Sequence, residues 1–160
     1  MNKEKQLMLT KEFVHKQLEN DASGHDWWHI VRVAEMAKRI AKHEQANLFV
    51  CEMSALLHDI ADEKLNASEE EGLKKIKEWL YSIDIDERTI EAIMDIISKM
   101  SYKGGGQPAL QTLEGKIDKF FDNATIFFTK QTNRELYKYH NVLEFADDSY
   151  VLTNPISEEN

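Results

Sequence analysis

One cysteine and two prolines stand in 160 residues. Cys51 cannot close a disulfide within the chain, which excludes a disulfide-stapled scaffold and makes a reducing compartment the expectation. With so few prolines and only 6 glycines, little interrupts the helical periodicity that runs through most of the sequence, and an all-α protein follows. No apolar run reaches the ~18 residues needed to span a bilayer. The opening Met1-Asn2-Lys3-Glu4-Lys5-Gln6 lacks the apolar core of a signal peptide, so a cytoplasmic protein with no membrane partner is expected. Positive charge is scarce as well: 20 Lys and Arg face 29 Asp and Glu, a net charge of −9. No basic face for nucleic acid is evident. An acidic chain that handles phosphates must gather its few cations, or a metal, at one place.

The periodicity predicts six helices. The first covers about residues 2–18, with Leu7, Phe13, Val14 and Leu18 apolar. The second runs from about 26 to 43, with Ile30, Val33, Ala34, Ala37, Ile40 and Ala41 at spacings of three and four. A third, about 47–61, is apolar nearly all round, the mark of a central buried helix. Ser68-Glu69-Glu70-Glu71 fits a capping box and opens a fourth that reaches about Tyr81. Asp84 or Asp86 caps a fifth, with Ile90, Ile93, Met94 and Ile97 inward. Gly104-Gly105-Gly106-Gln107-Pro108 ends it. A sixth begins near Gln111 and carries Leu113, Ile117, Phe121 and Ala124. No internal repeat or low-complexity segment is present, and Pro155–Asn160 reads as a frayed tail.

His58 and Asp59 interrupt the third helix. The surrounding run, Leu48 to Asp62, is otherwise almost wholly apolar, and a carboxylate there is costly unless a positive charge meets it. Upstream, Gly24-His25-Asp26-Trp27-Trp28-His29 offers further imidazoles. His29, His58 and Asp59 make a mixed N/O ligand set suited to Mn, Fe, Co, Ni or Zn, with Mg less favoured. Asp118 and Asp122 are the candidates for a fourth ligand; Asp122, among Phe120, Phe121 and Ala124, reads as the more buried of the two. The bland reading has weight residue by residue. A single histidine near a helix end is usually structural, and a His-Asp dipeptide recurs at His25-Asp26. The central burial of His58-Asp59 and the histidine-rich segment one helix earlier favour the metal.

These residues resemble the HD-domain superfamily of metal-dependent phosphohydrolases, whose signature is a histidine on one helix, a His-Asp pair on a later one, and a distant aspartate. The similarity extends through Gly24-His25-Asp26-Trp27-Trp28-His29-Ile30-Val31-Arg32-Val33, Ala55-Leu56-Leu57-His58-Asp59-Ile60-Ala61-Asp62, and Ile96 to Gly104. It covers about residues 5–117, and the chain resembles small stand-alone bacterial HD hydrolases, a type whose best-understood relatives are nucleoside triphosphate pyrophosphohydrolases. Where relatives continue past a Leu-Glu-Gly-Lys-Ile-like stretch with an Asp-Ala-Asp-Arg-Leu-Asp-like run, this chain reads Asp118-Lys119-Phe120-Phe121-Asp122-Asn123-Ala124. The resemblance implies a compact HD-type helical domain over 1–128, with an atypical C-terminal segment, 129–160, packed on it.

It further implies a divalent-metal cofactor held by His29, His58, Asp59 and Asp122, and a nucleotide or similar small phosphate as substrate, with a possible homodimer. Phosphoanhydride hydrolysis needs neutralised phosphate charge and an activated water. Asp62, three residues past Asp59, is a candidate to hold or deprotonate that water, and also a plain cap. Arg32 shares a face with His29 and is the leading phosphate contact; Lys64 and Lys103 are weaker ones. His25 is placed to reach a leaving phosphate, and Asp26 to orient a ligand or cap the second helix. Trp27 and Trp28 either stack on a base or pack, with packing favoured for at least one. Cys51 reads as a small core hydrophobe. The alternative function is an HD domain that binds metal or nucleotide without turnover.

Overall fold

In the computed structural model, whose described residues are 1–19, 27–100 and 111–118, no strand occurs among those residues. α1 is Lys3–Leu18, α2 Trp27–His43, α3 Leu48–Leu57, α4 Glu69–Ser82 and α5 Glu87–Met100, with a 3-10 turn, His58–Ala61, directly after α3. Residues 113–118 are also helical. The all-α expectation holds. The expected segment 129–160 lies outside the described residues, as do His25, Asp26, Lys103 and Asp122.

α3 occupies the centre. Its nine residues from Phe49 to Leu57 are all buried, and α1, α2 and α5 pack around it. Asn47 starts it, its side chain accepting the Val50 amide at 3.2 Å. Ser68 caps α4 as expected, receiving the Glu71 amide at 3.2 Å. Asp86 caps α5: its carboxylate takes the Thr89 amide at 3.1 Å and the Thr89 hydroxyl at 2.8 Å, and these bonds hold its pKa below the usual carboxylate value. Asp84 has a different task. At φ 58 it takes the left-handed conformation that ends α4, and the next amide, Ile85, reaches back to the Leu80 carbonyl at 3.2 Å.

Two expectations change. The helix over 47–61 is not uniform, because the α-helix stops at Leu57 and rewinds as a 3-10 turn. A continuing α-helix would offer the Ala55 carbonyl to the Asp59 amide; that carbonyl lies 2.6 Å from His58 Nδ1. In α1 the buried stripe includes two polar residues that the apolar spacing did not mark, Gln6 and Thr10, beside Val14 and Leu18, while Leu7 and Phe13 are half-buried against the core. Tertiary hydrogen bonds make the polar pair tolerable in the core. Gln6 Nε2 donates to the carbonyls of Ile83 at 2.9 Å and Asp84 at 3.1 Å, and Trp79 Nε1 donates to Thr10 Oγ1 at 3.1 Å. Phe13 stacks on Trp79 with ring centroids 4.3 Å apart, and Lys11 meets the buried Glu52 at 2.9 Å. Together these contacts fix α1 to α3 and to the α4–α5 corner.

Candidate metal centre

His29 enters from the first turn of α2, while His58 and Asp59 come from the 3-10 turn. α2 runs against α3 along its length, which brings the start of one helix beside the end of the other. Donor atoms of the three side chains all lie within 4.8 Å of one another. His58 Nε2 is 3.1 Å from Asp59 Oδ1, His29 Nε2 is 3.6 Å from Asp59 Oδ2, and the two imidazole rings are 5.7 Å apart. All three side chains are buried, with relative exposures of 3% for His29, 9% for His58 and 8% for Asp59.

The protonation pattern suits a cation. A carbonyl only accepts, so the 2.6 Å contact of His58 Nδ1 with the Ala55 oxygen puts a proton on Nδ1. In the neutral ring Nε2 then turns a lone pair toward a carboxylate oxygen 3.1 Å away. Two acceptors at that distance need a positive charge between or beside them. Atoms bound at ~2.1 Å to one ion sit roughly 3.0–3.4 Å apart in octahedral or tetrahedral arrangements, close to the separations seen here. A backbone carbonyl fixing the outer nitrogen of a histidine is also the usual support of a metal-ligating imidazole. Two imidazoles and a carboxylate match the donor set of first-row divalent metals.

The turn that carries His58 and Asp59 is held from below. Asn66 Nδ2 donates to the carbonyls of Ile60 at 2.7 Å and Asp62 at 2.9 Å. Gly72 of α4 lies so close that a Cβ there would meet Ala61 Cα at 2.6 Å and Ala61 O at 2.7 Å. Neither residue stood out in the sequence. The only signals were an asparagine between two helices and a glycine inside one, a position where glycine usually costs helix stability.

The remaining candidates are dispersed. Arg32 is exposed one turn beyond His29. Asp62 is half-exposed and its Oδ1 accepts the Lys64 amide at 2.8 Å, closing a short turn in which the Lys64 side chain faces solvent. Asp118, fully buried, does not join the three ligands. It lies two turns back along α3, where Cys51 Sγ donates to its Oδ1 at 3.0 Å. Cys51 is thus more than a small core hydrophobe: burial first, then the nearby Asp118 charge and this hydrogen bond, push its thiol far above the ordinary range. Trp27 packs edge-on to His15 with ring centroids 5.2 Å apart, whereas Trp28 is 64% exposed.

Residues 27–147 match the HD domain family. The chain is 33% identical to YpgQ of Bacillus subtilis over 118 residues, which are 72% of this chain; it spans 58% of that relative's length. Among solved structures, an HD-superfamily hydrolase from Bacillus thuringiensis aligns with a TM-score of 0.67 at 35% identity, over 96% of this chain and 73% of that one. YpgQ in complex with ADP gives a TM-score of 0.62 at 27% identity, over 88% and 77% of the two chains. A Lactobacillus plantarum protein gives 0.70 at 30% identity, over 88% and 66%. Among the described residues, no helix is long and apolar enough to cross a membrane.

Proposed function

The chain belongs to the HD-domain family, and from that premise we propose that it is a divalent-metal-dependent phosphohydrolase acting on a nucleotide or related small phosphate ester. One observation carries this reading: His29, His58 and Asp59 are buried side by side, with their donor atoms within 4.8 Å of one another. The binding of ADP by YpgQ supports a nucleotide as the phosphate carrier.

When bound, the metal supplies charge neutralisation at a phosphoryl group and makes water a competent nucleophile near neutral pH. His29, His58 and Asp59 hold it, with Asp122 as the proposed fourth ligand, since Asp118 is engaged by Cys51. Asp59, bridging the two histidines, sets the negative charge that retains the ion. Asp62 orients the attacking water from the end of the same turn. Arg32 takes phosphate charge at the solvent edge, with Lys64 and Lys103 as outer contacts, and His25 serves the leaving phosphate.

The test is elemental analysis of the purified protein followed by a phosphate-release screen over nucleoside mono-, di- and triphosphates, with and without added Mn. Metal-dependent release is expected, abolished in His58→Ala and in Asp59→Ala. Turnover that survives both substitutions would remove the proposed mechanism. Stoichiometric metal and bound nucleotide without turnover of any phosphate would favour the second reading, an HD domain that binds without hydrolysing; the departure from the family run after Ile117 is the feature that favours it.

A further inference from the structure

We propose that Trp28 and Arg32 form the outer edge of this same site, where the Trp28 indole is the platform for the base of a nucleotide and the Arg32 guanidinium meets its phosphates. The inference rests on the reading of the site as one that takes a phosphate substrate. It adds that the substrate carries an aromatic base.

Each residue of an α-helix turns about 100° from the last. The buried residues of α2 then fill an arc of about 140°, and His29 lies at one edge of it. Beyond that edge, on the solvent side, Arg32 follows at about 60° and Trp28 at about 100°; both are exposed. The opposite edge is bordered by the half-buried Trp27, Val31 and Lys38. A metal ligand and two exposed recognition groups are therefore neighbours around the first two turns of one helix. Long helical side chains lean toward the N-terminus, so the Arg32 guanidinium leans back toward the level of Trp28 and His29.

A single exposed aromatic is ordinary on a protein surface. What sets Trp28 apart is its setting. It is the most exposed large apolar side chain among the described residues, although the tryptophan beside it is packed on His15. Arg32 makes no hydrogen bond or ion pair with any described residue, in a chain with nine more acidic than basic groups. A guanidinium left unpaired beside a buried site suits a phosphate, which it can grip with two parallel N–H donors. In a nucleotide the ribose separates the base from the phosphates, and the order around α2, buried His29, then exposed Arg32, then exposed Trp28, runs the same way. Stacking on an aromatic ring tolerates any base, so this contact selects nucleotides over simple phosphates without selecting strongly among bases.

The experiment is equilibrium binding of purine and pyrimidine nucleoside triphosphates, and of inorganic tripolyphosphate, to the Mn-loaded wild type, Trp28→Ala and Trp28→Phe, with hydrolysis followed separately. The readout is the ratio of nucleotide to tripolyphosphate affinity. Trp28→Ala is expected to lower that ratio about 5- to 150-fold, the range for loss of one stacked base, and Trp28→Phe to restore most of it. A ratio that does not move, or nucleotides that fail to bind the wild type, overturns the inference. Nucleotides that bind through Trp28 but are never hydrolysed would sink the phosphohydrolase reading and leave this one standing.

Discussion

The side-chain amide of Asn66 lies 2.7 Å from the carbonyl oxygen of Ile60, the residue that follows Asp59 in the 3-10 turn. The same amide reaches the Asp62 carbonyl at 2.9 Å. One short side chain therefore bonds both carbonyls at the end of the turn that presents two of the three candidate metal ligands. Asn66→Ala removes both bonds; the Asp62 carbonyl keeps the Leu65 amide at 3.0 Å, while the partly buried Ile60 carbonyl loses its side-chain donor, at a cost of about 1–3 kcal/mol. Because Asn66 supports the ligands without touching them, a loss of metal affinity near the lower end of the 10- to 100-fold range for such supports is expected. Titration with Mn, read beside thermal unfolding of the metal-free protein, checks it. Stability that falls with no change in metal affinity would make Asn66 a fold residue only.

Gly72→Ala is expected to act on the same turn from the other side. Alanine is the better helix former by about 1 kcal/mol, so on an exposed helix this change would stabilise. Here the added methyl would sit 2.6 Å from Ala61 Cα and 2.7 Å from both Ala61 O and Asn66 Nδ2. Two of those atoms are backbone and cannot swing aside. α4 must move from the turn, with overpacking costs of about 1–3 kcal/mol and a fall in Tm of about 2–4 °C per kcal/mol. A more stable Gly72→Ala protein would show that the approach of α4 to the turn is looser than the structure has it.

Helix placement was legible where the signals were local. The spacing in α2 and α5 and the Ser68 cap of α4 needed no tertiary information. The clustering of His29, His58 and Asp59 was legible for a related reason: a carboxylate inside an apolar run advertises a partner, and the nearest imidazoles lie one helix away. What escaped depended on contacts distant in sequence. Gln6 and Thr10 face the core because the Ile83 and Asp84 carbonyls and the Trp79 indole wait for them. The break at Leu57 coincides with the contact of the His58 ring on the Ala55 carbonyl, and Asn66 and Gly72 matter only because α4 folds back onto the turn. The choice between Asp118 and Asp122 turned on burial; Asp118 is itself fully buried, with Cys51 donating to it, and Asp122 lies outside the described residues.

The Gln6 amide offers a control that separates the scaffold from the site. Gln6→Leu keeps the volume but removes the donor to two carbonyls at the α4–α5 corner. A loss of about 1–3 kcal/mol is expected, visible in urea unfolding. Metal affinity should stay within twofold, because α1 contributes no ligand. A large drop in metal affinity would mean that α1 docking and the ligand geometry are coupled through α3.

Cys51 gives the chain a distinct behaviour in alkali. Burial, and then the Asp118 carboxylate, keep the native thiol protonated well above the ordinary value of 9.0, while the unfolded thiol ionises near that value. Below about pH 9 both states hold the proton and the contribution to stability is complete. Above it the unfolded state binds fewer protons than the native one, so stability is lost as pH rises, with a slope approaching 1.4 kcal/mol per pH unit, roughly, for this one group. Cys51→Ala lacks that proton. It should be less stable than wild type at pH 8, because Asp118 loses its donor, and the gap should narrow toward pH 10.5. Urea unfolding of both proteins across that range measures it, and a gap that stays constant would mean the thiol is not held protonated by its surroundings. In the native protein at pH 8 the same burial predicts slow alkylation by iodoacetamide, and full reaction once urea exposes the thiolate.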